Sequence, residues 1–339
     1  MRGVSVIVCC YNSAARLPQT ILHLVQQNVP ADIPWEIILV NNASKDNTSQ
    51  IALQEWNKNP LSKVAFTIVE QPLEGLSHAR EKGVATSAYD VLIFCDDDNW
   101  LAENYVETAF NLLEEWPTAA IIGGIGTAAP ETYPPQWFET YRGYYATGAQ
   151  NSMKGLLESN EAYVYGAGSV VRKAVLQRLS KINFKPLATD RRNESLSSGG
   201  DVELCYAVSL LGYKIGYSDN LKFQHFIPKN RLGDNYLLDL VYQFGYCNIL
   251  HRPYYWLFNP HISGYKKTWW WALIISLHIY VLSLFKYIFN TGRANKFTAK
   301  VNLNHAKGRL VAAISLNYKI MGYYYMLKQK FNNPNPAKI

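Results

Sequence analysis

An α/β fold, with a mostly parallel central sheet flanked by helices and a helical appendage at the C-terminal end, is predicted by three observations. Short β-rich apolar runs alternate with amphipathic stretches over residues 1–225. One of these runs, Val91 to Phe94, is wholly apolar and leads into three consecutive carboxylates, Asp96-Asp97-Asp98. The charge is divided, with 17 Lys/Arg against 24 Asp/Glu in residues 1–220 and 16 against 2 in residues 221–339. Apolar runs buried on both faces suit the middle of a parallel sheet, and open α/β sheets bind ligands at the carboxyl ends of their strands. The acids therefore stand where a ligand would. Adjacent carboxylates repel one another, and a hard divalent ion with oxygen ligands, Mg²⁺ or Mn²⁺, would relieve that cost. A solvated acidic turn with Asn99 at its corner is the competing reading of the tripeptide alone.

Val4 to Cys9 reads as the first strand, followed by Tyr11-Asn12 and a polar loop. A helix follows from Pro18, well placed in a first turn, through Gln27, with Ile21, Leu24 and Val25 on one face. Glu36 to Val40 is a second strand ending in Asn41-Asn42, and Asp46 is placed to cap the helix that carries Ile51, Leu53 and Trp56. Val64 to Val69 forms a third strand, and Gly75 to Ser87 a loop and helix with Arg80 in its middle. After the acidic strand, Tyr105, Ala109, Leu112, Leu113 and Trp116 mark an amphipathic helix, and Ala119 to Ile125 a further strand. Tyr163 to Val171, which contains Gly166 and Gly168, reads as a strand, and Arg172 to Leu179 as a helix. Gly199-Gly200-Asp201 opens a helix through Leu211, with Asp201 at the end where the helix dipole favours a carboxylate. This alternation implies parallel strands with right-handed crossovers.

Gly124 to Ala129 fits G-x-G-x-x-A after a strand, but Pro130 follows at once, no helix opens, and the first strand–helix turn carries no glycine. A dinucleotide-binding dehydrogenase is thereby excluded. Residues 130–165, rich in Pro, Tyr, Trp and Gly, suit an insertion facing substrate. The five cysteines, Cys9, Cys10, Cys95, Cys205 and Cys247, show neither CxxC spacing nor a paired framework, which fits a reducing compartment. Met1 leads almost directly into a strand, so no signal peptide is expected.

Taken together, VSVIVCCYN (4–12), VNNASKDNT (40–48), EGLSHAREKG (74–83), FCDDDNW (94–100), YGAGSVVRK (165–173) and GGDVELCYAVSLLGYKIGY (199–217) resemble the family 2 inverting glycosyltransferases of GT-A fold. The resemblance implies a nucleotide-sugar bound across the first four strand ends, with its diphosphate on a divalent metal, Mn²⁺ or Mg²⁺. It implies that Cys9, Tyr11, Asn41, Asn42, Arg80, Asp96 and Asp97 lie along the donor nucleotide, with Tyr11 against the base and Arg80 near the pyrophosphate. It implies Asp98 as metal ligand, with Asp96 and His225 beside it, and Asp201 as the catalytic base for an acceptor hydroxyl. The sequence departs from the family at Asn41 and Gly200, which replace acids, and at Glu81, which replaces an Asn. Asn41 can still accept a hydrogen bond from a base but loses the charge-assisted one. Those departures leave a catalytically inactive nucleotide-sugar binder or scaffold of the same fold as the alternative.

The resemblance fades beyond residue 226, and the division expected is a catalytic domain over 1–228 and a basic, aromatic helical region over 229–339. Lys229 to Leu232 still resembles a phosphate-side loop. Trp269 to Phe289 is a 21-residue segment with a single charge, long enough for a bilayer core of ~30 Å. Basic residues flank both ends, Lys266 and Lys267 before and Arg293, Lys296 and Lys300 after, while Ser276, Ser283, Lys286 and Asn290 fall near one stripe. A helix lying in or dipping into the anionic cytoplasmic leaflet is expected, with a single span as the alternative. No recognised nucleic-acid module surrounds the charge, so no nucleic-acid partner is expected. The acceptor implied is a glycan or a lipid-linked saccharide, as in cell-surface polysaccharide or lipopolysaccharide-type assembly.

Overall fold

The computed structural model describes residues 1–59, 61, 63–188, 199–290 and 292–331; the side chain of Arg293 lies outside the described part. The chain runs β1 (Val4–Cys10), α1 (Leu17–Val25), β2 (Trp35–Asn42), α2 (Thr48–Lys58), β3 (Ala65–Gln71), α3 (Leu76–Thr86), β4 (Val91–Asp96), β5 (Asn99–Leu101) and α4 (Tyr105–Glu115). It continues with β6 (Ala119–Pro130), α5 (Phe138–Tyr141), β7 (Gly155–Leu157), β8 (Val170–Arg172), α6 (Lys173–Lys181), α7 (Gly200–Leu210) and β9 (Lys214–Ile227). Five helices complete it: α8 (Asp234–Leu250), α9 (Arg252–Phe258), α10 (Trp269–Phe289), α11 (Arg293–Leu316) and α12 (Lys319–Phe331).

The strands form one nine-stranded sheet in the order β3-β2-β1-β4-β8-β6-β9-β5, with β7 paired to β9. Its first half, β3-β2-β1-β4, is parallel. Beyond it the sheet is mixed, because β8 runs antiparallel to both β4 and β6, while β6 and β9 are parallel. Every residue of β1 but Cys9 is buried, as a strand covered on both faces requires. Val6, Val8, Ile37 and Ile93 pack to one side with α1, α2 and α4; Ile7, Ile38, Leu92 and Phe94 pack to the other with α3, α6 and α7. Gly83 of α3 lies so close to the sheet that a Cβ there would stand 2.3 Å from Ile7 Cγ2. From β1 the chain winds outward through β2 and β3, then returns to the other side of β1 as β4. That reversal opens a crevice between the carboxyl ends of β1 and β4, where Cys9 pairs in register with Asp96.

Two expected elements differ. The strand expected over Tyr163 to Val171 is confined to β8, because Gly168 takes φ 66° and Ser169 bonds back to Gly166 O through both its N–H (3.2 Å) and its hydroxyl (2.9 Å). Residues 163–169 are thereby folded into a turn beside the crevice. The G-x-G-x-x-A match at 124–129 lies inside β6, which runs on to Pro130.

The C-terminal helices build two further clusters. Leu237, Leu238 and Val241 of α8 join Phe138, Tyr145, Ile227 and Val301. Trp256 of α9 joins Ile249, Ala312, Ala313 and Ile320. Helices α8 and α11 cross on paired glycines: a Cβ at Gly245 would meet His305 O at 2.1 Å, and one at Gly308 would meet Tyr242 O at 2.0 Å. Helix α10 packs along α11 through Ala272 and Ser276 and leaves one apolar face largely exposed. Ser276 is thus buried at a helix contact, its hydroxyl donating to Ala272 O at 2.7 Å, and does not belong to an outward polar stripe.

Candidate active site

The loops after β1 and β2 are tied together before any ligand arrives. Asn12, at φ 49°, donates its main-chain N–H to Ser44 Oγ at 3.0 Å, while its Oδ1 accepts from Lys45 N–H at 2.8 Å. Asp46 accepts from Ala14 N at 3.0 Å and from Thr48 N at 3.2 Å, so it straps the β1 loop to the start of α2, although Asn47 holds the cap position itself.

Asn41 and Asn42 are both buried and both bonded locally. Asn41 donates to Ser49 Oγ (2.8 Å) and Glu70 Oε1 (3.2 Å) and accepts from Ser44 N (3.3 Å). Asn42 donates to Gln71 O and Leu73 O and accepts from Gly75 N at 2.8 Å. Asn42 lines the cavity described below; Asn41 does not. A carboxylate at 41 would face the Glu70 carboxylate across the β2–β3 pair, which explains the amide there.

Among the described residues, cationic side chains stand against Asp97 and Asp98. Asp97 accepts from Arg16 Nη2 at 2.5 Å and from Ser13 Oγ, while Thr20 donates to its main-chain carbonyl at 2.7 Å. Burial and the charge of Asp98 raise its carboxyl above the ordinary range despite Arg16. Asp98 accepts from Arg231 Nη1 at 3.0 Å and lies 3.5 Å from His225 Nε2. Burial opposes its charge, but His225 and Arg231 overcome it and hold the carboxyl well below the usual range. His225 lies within β9, and its Nδ1–H donates to Tyr145 O at 2.7 Å, which leaves Nε2 facing Asp98. Burial would lower that imidazole, yet the Asp98 carboxylate outweighs it and the net shift is upward. Asp96 lines the cavity.

Opposite these groups stands the turn of residues 163–169. Gly166 N–H donates to Asp201 Oδ2 at 3.0 Å, and Val202 N–H to Asp201 Oδ1 at 2.9 Å. A Cβ on Gly166 would come 2.9 Å from Arg80 Nη2 and 3.3 Å from Asp201 Cβ, so the glycine lets the guanidinium and the carboxylate approach one backbone point. Arg80 also lies over the Phe94 ring, 5.0 Å from its centroid, two residues before Asp96. Asp201 is not the helix cap; Gly199 is, at φ 100°. Cys9, Tyr11, Asn42, Arg80, Asp96, Asp97, Asp98, Asp201 and His225 all line one cavity of about 1000 Å³. Tyr144, Tyr163, Tyr165, Tyr206, Tyr255 and Phe258 form its aromatic wall, and α8 and α9 close that end.

Residues 5–180 match the sequence pattern of Glycosyl transferase family 2. The chain belongs to that family. Among its relatives is the cholesterol galactosyltransferase of Borreliella burgdorferi, 33% identical over 108 residues, which cover 32% of this chain and 28% of the relative. Another is the poly-beta-1,6-N-acetyl-D-glucosamine synthase of Staphylococcus epidermidis, 24% identical over 125 residues, 37% of this chain and 28% of the relative. The chain thus matches well under a third of the length of either curated relative. The solved mannosyltransferase of Pyrobaculum calidifontis, in complex with GDP-Man and Mn²⁺, superposes with a TM-score of 0.52 at 14% identity, covering 97% of this chain and 84% of that one. That likeness shows the GT-A fold.

For a family 2 chain the donor set fits a divalent ion in its chemistry. Two carboxylates, Asp96 and Asp98, stand with an imidazole whose other nitrogen is fixed by a backbone carbonyl, the arrangement that orients a metal-ligating histidine. Among the described residues no three such groups are gathered as a metal site, and Asp98 is bonded to Arg231. Arg16, Ser13, Glu203, His251 and Arg252 went unnoticed in the sequence. Glu203 is fully buried and accepts from Leu187 N, Ala188 N and Tyr254 OH, each at 2.7 Å, pinning α9 to α7. Its position two residues after Asp201, on the next flank of the same first turn, was the available signal.

Proposed function

We propose that the protein is a metal-dependent inverting glycosyltransferase that moves a single sugar from a nucleoside-diphosphate sugar to a hydroxyl of a glycan or lipid-linked acceptor. The observation that carries this reading is one cavity in which Asp201 stands beside Arg80 on one wall and Asp96 and Asp98 occupy another. A divalent ion held by Asp96, Asp98 and His225 would neutralise the diphosphate. The acceptor oxygen forms its bond to the anomeric carbon as the bond from that carbon to the diphosphate oxygen breaks on the opposite face. The hydroxyl proton goes to Asp201, whose two oxygens each hold one backbone N–H and keep a second lone pair. Arg80 receives the diphosphate charge with a forked guanidinium, and Tyr11 lines the base end. Domains fall as a catalytic part over 1–228 and a helical region over 229–339, the latter closing the cavity from α8 and α9. The named function of the Staphylococcus relative supports polysaccharide assembly, and the exposed apolar surface of α10 supports a membrane surface as the place of action, read here as its cytoplasmic face.

A thermal-shift screen of UDP-, GDP- and dTDP-sugars with and without Mn²⁺ identifies the donor, since a ligand bound only by the native state raises its stability. Asp201→Asn then separates the roles. Donor binding should survive, while transfer falls by about 10²–10⁴. Near-normal transfer in that variant would return Asp201 to a structural role at the start of α7.

A further inference from the structure

The far end of the cavity, near the start of α7, carries positive charge that no acid among the described residues compensates. Arg252 lines it from α9, beside Asn248 and His251. Arg309 of α11 stands behind, brought there by the glycine crossing of α8 and α11, and its Nη1 donates to Asn248 Oδ1 at 2.6 Å. With its oxygen so occupied, Asn248 has its amide N–H groups left to offer the cavity. Burial lowers both guanidinium groups, and Arg252 lowers Arg309 further, with no carboxylate among the described residues acting on either. The Nε atoms of Arg252 and Arg309 are buried and find no hydrogen-bond partner among the described residues. Arg252 rests on the Trp256 ring, 5.9 Å from its centroid, so one face of it is sheltered by an aromatic group and not by an acid. Glu161, an acid that also lines the cavity, is bonded to Asn259 Nδ2 at 2.6 Å.

An independent feature points the same way. His251 lines the cavity and is 8% exposed, yet its Nε2 has no partner among the described residues. It is seated against Gly199, where a Cβ would stand 2.9 Å from its Cε1, and against Tyr206, 5.8 Å between ring centroids. Burial lowers it to about 4, so it is a neutral hydrogen-bonding group at neutral pH. Like charges held together in a part-buried wall cost stability unless an anion joins them, and guanidinium groups bind phosphate oxygens in a forked geometry.

We propose that Asn248, His251 and Arg252, backed by Arg309, form a subsite for the phosphate or diphosphate of a lipid-linked acceptor. The proposal rests on the transferase reading and names its acceptor class: a saccharide carried on a lipid phosphate, whose anion is anchored at α8–α9 while its hydroxyl reaches Asp201.

The test uses the full chain in detergent, saturated with Mn²⁺ and the nucleoside diphosphate that stabilises it most, so that the donor end is filled. Farnesyl diphosphate, inorganic pyrophosphate and farnesol are titrated by calorimetry. Farnesyl diphosphate should bind and farnesol should not. Arg252→Gln and Arg309→Gln should each weaken farnesyl diphosphate by about tenfold or more, the size of one charge-assisted hydrogen bond, and leave nucleotide affinity unchanged. The melting temperature of ligand-free Arg252→Gln should equal or exceed that of the wild type, because a like-charge pair is relieved; Arg252→Lys provides a second folded variant that keeps the charge without the fork. Undiminished farnesyl diphosphate binding in both glutamine variants overturns the subsite. Equal affinity for pyrophosphate and farnesyl diphosphate, both dependent on Arg252, keeps the anion site and overturns its assignment to a lipid. A chain that binds no nucleoside diphosphate sinks the transferase reading instead, and the farnesyl diphosphate titration of that chain remains readable.

Discussion

Charging the outer face of α10 should detach the protein from membranes. Trp270, Ile274, Leu277, Val281, Leu282, Phe285, Ile288 and Phe289 are each between 39% and 72% exposed, and most recur at the three- and four-residue spacing of one helix face. Complete burial of such a side chain is worth about 1.5–3 kcal/mol, so half-exposed ones contribute roughly 1 kcal/mol each on entering lipid. The face therefore supplies on the order of 5–10 kcal/mol before immobilisation is subtracted. Leu277→Glu, Val281→Glu and Phe285→Glu together remove about 3 kcal/mol of it, which is about a hundredfold in partitioning, and add the cost of placing carboxylates in the interface. The contact with α11 through Ala272 and Ser276 is untouched. Cosedimentation with vesicles of phosphatidylcholine and phosphatidylglycerol measures the effect. The wild type should stay bound in high salt, which screens the basic flanks, and yield only to detergent. A wild-type chain that is monomeric in detergent-free buffer and leaves such vesicles unbound would refute the reasoning.

Three further outcomes follow from the site and its supports. Asp98→Ala should abolish Mn²⁺-dependent donor binding; it should also lower stability by about 3–5 kcal/mol, since it strands Arg231 and His225 beside one another, and donor titration with denaturant melts reads both. Asn41→Asp should destabilise the β2–β3 edge by about 1 kcal/mol through repulsion with Glu70, and Glu70→Gln in the same chain should restore the melting temperature. Gly245→Ala should cost several kcal/mol in urea unfolding, because its Cβ would lie 2.1 Å from the His305 carbonyl oxygen, whereas Gly264→Ala, with open space around it, should be silent.

The parallel half of the sheet was legible because its strands are buried on both faces and read as unbroken apolar runs, β1, β2 and β4 above all. Residues 163–169 were misread as strand because local composition does not reveal a turn closed by Gly168 and the Ser169 bonds. The place of the acidic cluster was equally plain from its position after β4. Its electrostatics were not, since the partners of Asp97 and Asp98 lie 81 and 133 residues away along the chain, at Arg16 and Arg231. Asn41 looked like a lost base contact; only the register of β2 against β3, which sets it beside Glu70, shows why an amide stands there.

Helix α11, 24 residues and about 36 Å long, touches both the lipid-ready helix α10 and the helix α8 that closes the aromatic end of the cavity. Its glycine crossing with α8 brings the two backbones into close contact, and α11 packs along α10 as well, so one helix links α10 to the cavity mouth. On the membrane reading proposed above, the depth at which α10 settles in a bilayer would set the height of that mouth above the lipid surface. Reach along the acceptor becomes a length scale built into the fold, one that inserting or deleting a helical turn in α11 would change by about 5 Å.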